Sequence, residues 1–134
     1  MKDFLKHFNV ELNDFELIRS EYYEVLKDMD KYTGIIVSKG LPLGVKGKRF
    51  QPSLYLLEKI SKETKNKVFI NDKAEWLFLC GRDVFSKNIV EDNSSSELFL
   101  VQNCRDENLG LGMKKGKLVK NIIDRGDFLR REQN

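Results

Sequence analysis

The chain has 134 residues, 40% of them hydrophobic and 34% charged, with a formal charge of +3. That is ordinary for a soluble globular protein of one domain or two very small ones, and any nucleic-acid surface must come from how the charges are distributed. No apolar run approaches the ~20 residues that span a bilayer and no signal-peptide core follows Met1-Lys2-Asp3-Phe4, so a soluble, cytoplasmic protein without membrane partners is expected.

In chain order, residues 1–10 offer Phe4, Leu5 and Phe8 to a short amphipathic turn of low intrinsic helicity. Phe15-Glu16-Leu17-Ile18-Arg19 alternates weakly and reads as a strand. Ser20 is then a natural N-cap for a helix over Glu21 to Met29, whose apolar face is Tyr22, Val25, Leu26 and Met29 at helical spacing. Thr33-Gly34-Ile35-Ile36-Val37 is a β-branched run and predicts a strand. Behind it Gly40, Pro42, Gly44 and Gly47 mark a turn-rich loop. Its Lys46, Lys48 and Arg49 are a candidate second phosphate contact, a protein-docking surface or a solvated turn. Pro52 suits the first turn of a helix that carries Leu54, Leu56, Leu57 and Ile60 as its stripe. The pattern predicts a small N-terminal α/β domain over residues 1–66, with Ser61 to Lys67 as a polar hinge.

Residues 67–134 read as a second domain. Val68-Phe69-Ile70 is a strand, Asp72 and Glu75 stand at capping-box spacing, and Gly81 sits where the following helix would turn left-handed and stop. Further strands are predicted at Val84-Phe85, Ile89-Glu91, Glu97-Gln102, Leu109-Met113, Leu118-Ile123 and Phe128-Arg131. Short strands at this spacing, with one inserted helix, predict a closed or nearly closed barrel. Lys115-Gly116 and Arg125-Gly126 are expected tight hairpins, and Gly110 and Gly112 inside a strand predict a bend or a close backbone approach.

The charge is concentrated late in the chain. Between Met113 and Arg131, Lys114, Lys115, Lys117, Lys120, Arg125, Arg130 and Arg131 make seven basic residues against the two acids Asp124 and Asp127. Gathered on one rim, they would neutralise phosphates and release counterions, giving affinity with little sequence selection. A solvated lysine-rich turn is the plain alternative, and an arginine pair can also guard a sheet edge. Trp76 and Phe78 could stack on unpaired bases, but on a short helix beside Leu77 and Leu79 they are expected in the barrel core. Tyr22, Tyr23 and Tyr32 carry the same ambiguity.

Catalysis has little to build on. The sole histidine, His7, lies in a segment expected to be mobile, and Cys80 and Cys104 are far apart without metal-ligand spacing, reading as buried or half-buried reduced thiols. Gly110-Leu111-Gly112 lacks the third glycine and the βαβ setting of dinucleotide binding. Asp83, Asp106, Asp124 and Asp127 read as turn formers. The expectation is a protein that is not an enzyme and has no catalytic residue, metal or cofactor.

Taken together, Lys67-Val68-Phe69-Ile70, Ala74-Glu75, Phe78-Leu79-Cys80-Gly81, Val84, Leu109-Gly110-Leu111-Gly112 and Gly126-Asp127-Phe128-Leu129-Arg130-Arg131-Glu132 resemble a PUA domain, the small RNA-binding pseudobarrel. Within that class the chain looks like an archaeal-type member of the Nip-seven family, two-domain factors of large ribosomal subunit biogenesis. Leu43-Gly44 to Phe50 and the Leu54–Leu57 helix resemble the end of that family's first domain, so the likeness covers residues 15–132. One departure is Lys73-Ala74, where many PUA loops carry Gly-Ala. The resemblance implies an α+β fold: a small N-terminal α/β domain followed by a PUA-like mixed β pseudobarrel over residues 67–134. It also implies a non-catalytic, monomeric factor whose PUA domain binds precursor rRNA, expected as uridine-rich single strands, at Lys73 and the basic set above. Its first domain would dock assembly proteins. Two alternatives are an RNA-targeting accessory of a modification enzyme and a pure protein-interaction adaptor.

Overall fold

The computed structural model describes residues 1–28 and 36–132. Lys2–Lys6 forms α1, and Phe4, Leu5, Phe8 and Val10 behind it are buried. The N-terminal segment expected to be mobile is therefore anchored, because burying four apolar side chains offsets its weak helicity. The His7 carbonyl accepts from Asn66 Nδ2 at 2.7 Å and its Nδ1 meets the Ser96 hydroxyl.

A first sheet is antiparallel in the order β1-β2-β3-β4: β1 Phe15–Ile18, β2 Glu21–Asp28, β3 Ile36–Val45 and β4 Gln51–Pro52. The helix expected over Glu21 to Met29 is a strand through Asp28. Arg19 and Ser20 both have positive φ, 49° and 68°, which is the two-residue turn that matches strand twist, so Ser20 turns a hairpin instead of capping a helix. Register shifts at Tyr22/Tyr23 and Tyr23/Val25 break the strand's alternation, and the apolar residues fall at spacings that imitate a helix. The expected loop at Gly40 to Gly44 is likewise extended: β3 runs on to Val45, and Pro42 is accommodated beside the same irregularity. Of the strand expected at Thr33 to Val37, Ile36 and Val37 open β3; Thr33, Gly34 and Ile35, with Met29 and Tyr32, lie outside the described residues.

Helix α2, Leu54–Ser61, starts at Ser53, whose hydroxyl accepts from the Leu56 amide at 3.1 Å, while Pro52 belongs to β4 and not to the first turn. The second sheet has the order β6-β10-β9-β8-β5-β7: β5 Lys67–Ile70, β6 Val84–Phe85, β7 Ile89–Asp92, β8 Leu98–Gln102, β9 Asn108–Lys115 and β10 Leu118–Asp124. Only β5 and β8 run parallel; the other pairs are antiparallel, and the sheet curls into a nearly closed pseudobarrel. Helix α3, Asp72–Leu79, is capped by Asn71, one residue earlier than expected, whose Oδ1 accepts from the Ala74 amide at 2.9 Å. Gly81 follows it with φ +91°, as expected of a left-handed stop.

The C-terminal strand expected at Phe128 to Arg131, and the hairpin at Arg125-Gly126, are instead helix α4, Arg125–Glu132. Asp124 Oδ1 accepts from the Asp127 amide at 2.7 Å, a cap that starts the helix directly from the end of β10.

Two cores share one sheet. Along β8, Leu98 and Leu100 face outward to α1, α2 and Leu43 of β3, while Phe99 and Val101 face inward to Val68, Ile70 and Ala74 and Phe78 of α3. Leu111, Ile122, Ile123 and Phe128 complete the outer core, which is thus built from both halves of the chain. The segment expected to be a polar hinge is pinned: Ser61, Thr64, Asn66 and Lys67 are buried. Asn66 alone donates to His7 and Leu98 carbonyls and accepts from the Ser95 amide at 2.8 Å.

Candidate nucleic-acid interface

The β9–β10 hairpin turns through Gly116 and Lys117, with Gly116 at φ +61° and Lys115 paired with Leu118. Such a tight turn keeps both strands in register to their tips, so it dictates where each lysine points. Cross-strand partners share a face. Lys114 pairs with Val119, a core residue, and so lies on the inner side of the barrel mouth, where its Nζ is 3.7 Å from Asp92. Lys115 pairs with Leu118 and Lys120 with Met113, which places both lysines on the outer face. Lys117 stands in the turn, and its carbonyl accepts from the Ser86 amide at 3.0 Å. All four lysines are exposed, and Lys115, Lys117 and Lys120 have no ion pair among the described residues.

Beside this hairpin, β6 adds Phe85 directly opposite Leu118, with Val84 opposite Val119 on the core side. Phe85 is 59% exposed. The sequence signal for it was the two-residue strand Val84-Phe85 itself: once Val84 is inside, Phe85 must be outside.

The arginines of the basic set are placed elsewhere. Arg125 opens α4, with Nη1 3.0 Å from Glu58 of α2, and it donates to the Asn108 carbonyl at 3.3 Å. Arg130 donates to the Leu79 carbonyl at 3.0 Å and lies 3.4 Å from the buried carboxylate of Asp124. Arg131 is in the last turn of α4. The structure therefore gathers the lysines on one rim, whereas Arg125 and Arg130 brace α4 against α2, β9 and α3.

Lys73 is exposed in the first turn of α3. The helix turns Ala74 and Phe78, four residues apart, into the core, which leaves Trp76 on the far side at 67% exposure. Phe78 is core as expected; Trp76 is not. Lys46, Lys48 and Arg49 are exposed in the β3–β4 loop, and Arg49 reaches a cleft of about 490 Å³ whose walls include Phe50, Ile122 and Phe128. At the barrel mouth, burial works against the Asp92 carboxylate, but the Ser94 hydroxyl and amide and then Lys114 hold it below its usual range. No group of three His, Cys, Asp or Glu side chains able to hold a metal occurs among the described residues, and both cysteines are free but exposed, where burial or half-burial was expected. No helix among the described residues is long and apolar enough to cross a membrane.

Comparison with known proteins agrees with this geometry. Residues 66–133 match the family model of the UPF0113 PUA domain. The chain is 29% identical over 147 aligned residues to a UPF0113 protein of Archaeoglobus fulgidus, covering 98% of this chain and 83% of that one. It is 35% identical over 100 residues to a UPF0113 protein of Aeropyrum pernix, covering 70% and 58% of the two chains. Among solved structures, a conserved PUA domain protein from Thermoplasma acidophilum superposes with a TM-score of 0.58 at 25% identity, over 86% of this chain and 83% of that one. A hypothetical protein from Pyrococcus horikoshii shares the fold, with a TM-score of 0.62 at 20% identity over 99% and 92% of the two chains. A PUA domain suggests RNA as the ligand, which is the chemistry a lysine rim can meet. With the barrel, its covering helix and the match over the second half all in agreement, the chain belongs to the UPF0113 PUA domain family.

Proposed function

We propose that this protein is a non-catalytic RNA-binding factor of large ribosomal subunit biogenesis, which engages precursor rRNA with the β9–β10 hairpin and assembly proteins with its N-terminal sheet. The observation that carries the reading is the convergence of Lys115, Lys117 and Lys120 on one exposed rim without an ion pair among the described residues. Unpaired surface ammonium groups in one place attract a polyanion and exchange its condensed counterions for themselves. Protein docking is supported by Leu17, Leu41 and Val45, large apolar side chains that the first sheet leaves exposed. A cytoplasmic setting fits the free thiols.

Filter binding of a uridine-rich single-stranded RNA over a salt series tests it. The logarithm of affinity should fall linearly with the logarithm of salt concentration. Converting Lys115, Lys117 and Lys120 together to glutamate should flatten that slope by about 2, since each contact with a single strand accounts for roughly 0.7. A flat response in the native protein, or an unchanged slope in the triple variant, removes the RNA contact. Recovery of immature large-subunit RNA by crosslinking in cells tests the biological setting separately.

A further inference from the structure

Among the described residues, Phe85 is the one aromatic side chain that the hairpin register sets in line with the lysines, and it belongs to neither core. Its neighbour Val84 supplies the packing for β6, being 2% exposed in the inner core. Phe85 belongs to neither core, because its ring lies on the outer face, in the cross-strand row Phe85, Leu118, Lys115. On that same face the next row is Lys120, Met113 and Leu98. Lys117 closes the strip at the turn, held there by the Ser86 amide next to Phe85. Neither row contains a carboxylate. The acid nearest in the chain, Asp83, is engaged with the main chain, accepting from the Asn121 amide at 2.8 Å.

A lone exposed phenylalanine is unremarkable. Here, however, the ring stands on a strand, opens to solvent, and is flanked by cations that attract the phosphates of the same ligand whose bases have flat apolar faces. A duplex presents phosphates to such a strip but keeps its bases stacked inside; a single strand offers both. We infer that Phe85 is a base-stacking platform, and that the ligand class of this rim is single-stranded RNA with at least one unpaired base laid on the ring while Lys115, Lys117 and Lys120 hold the phosphates alongside. The inference rests on the proposed RNA contact of the hairpin and adds to it the part of the ligand that is read by contact with a base.

The test uses the full chain and a uridine-rich oligoribonucleotide carrying one internal 2-aminopurine, with Phe85→Ala, Phe85→Tyr and Lys120→Glu variants checked for native melting. Loss of stacking should weaken binding by Phe85→Ala roughly 5- to 150-fold. Its salt slope should equal that of the native protein, because no phosphate contact is lost. Phe85→Tyr should bind within about twofold of native. Native protein should change the 2-aminopurine emission and Phe85→Ala should not, whereas Lys120→Glu should lower the salt slope and leave the emission change at saturation. Native-like affinity of Phe85→Ala, or equal affinity of native protein for a duplex of the same length, overturns the stacking role while leaving the phosphate contact intact. Absence of salt-dependent RNA binding by the native protein overturns both.

Discussion

At the scale of single residues, close approaches decide what can be replaced. A Cβ built on Gly110, which has φ +149°, would lie 1.9 Å from the Ile123 carbonyl, where β10 departs from regular register against β9. Gly110→Ala should therefore destabilise the protein by about 3 kcal/mol or more, from backbone strain together with overpacking, readable as a fall in the urea midpoint. The same logic explains Gly126, whose Cβ would sit 2.0 Å from the Leu79 carbonyl and would push α4 off the end of α3. Caps are a gentler matter. Because Asn71 and not Asp72 accepts from the first turn of α3, Asn71→Ala should cost about 1 kcal/mol and Asp72→Ala distinctly less, a difference that thermal melts of the two variants will show.

Among the elements, β2 and α2 are joined by a polar contact that makes part of the stability depend on pH. Glu24 accepts from Lys59 at 2.7 Å and from the Tyr55 hydroxyl, and these bonds, Lys59 first, hold its carboxyl below the usual range. A depressed carboxylate stabilises the fold fully above its unfolded pKa of about 4.5, and the contribution is lost as pH falls through the lower folded value. Glu24→Gln should cost about 1 kcal/mol at neutral pH and should lose that part of the acid-side slope, as measured by chemical denaturation at several pH values. How far such elements could be read in advance follows from the same contacts. Strands β5, β8, β9 and β10 and helices α2 and α3 stand where their spacing put them, although the caps moved to Ser53 and Asn71 and the turn expected at Lys115-Gly116 falls one residue later. The strand β2 was hidden because its two register shifts turn a two-residue alternation into an apparent helical one. Helix α4 was hidden because Gly126 reads as a turn residue; the Leu79 carbonyl that requires a glycine there is distant in sequence. Of the site, the lysine rim was legible in composition. The diversion of Arg125 and Arg130 to Glu58, Asp124 and main-chain carbonyls was not, since those partners come from other elements.

For the molecule as a whole, the joint between the halves is the decisive feature. Asn66 is 2% exposed and holds three backbone groups from three places: the carbonyls of His7 and Leu98 and the amide of Ser95. Asn66→Ala leaves them without their partner, and should cost about 2–4 kcal/mol, since buried polar groups stripped of a hydrogen bond bear their desolvation cost. The two halves should also unfold together: calorimetric and van't Hoff enthalpies should agree, and the Trp76 fluorescence and far-UV transitions should coincide. Two separated transitions would show that the outer core does not couple the halves.

That shared outer core also bears on how the polypeptide is made. Leu98, Leu100, Leu111, Ile122, Ile123 and Phe128 pack against Phe4, Phe8, Leu43, Leu56 and Leu57, yet they are translated after them. The leading half leaves the ribosome with its greasy side uncovered and must wait for the trailing half to arrive. A nascent chain arrested before β8 should therefore present bare apolar surface to chaperones and lack the fold of the finished protein.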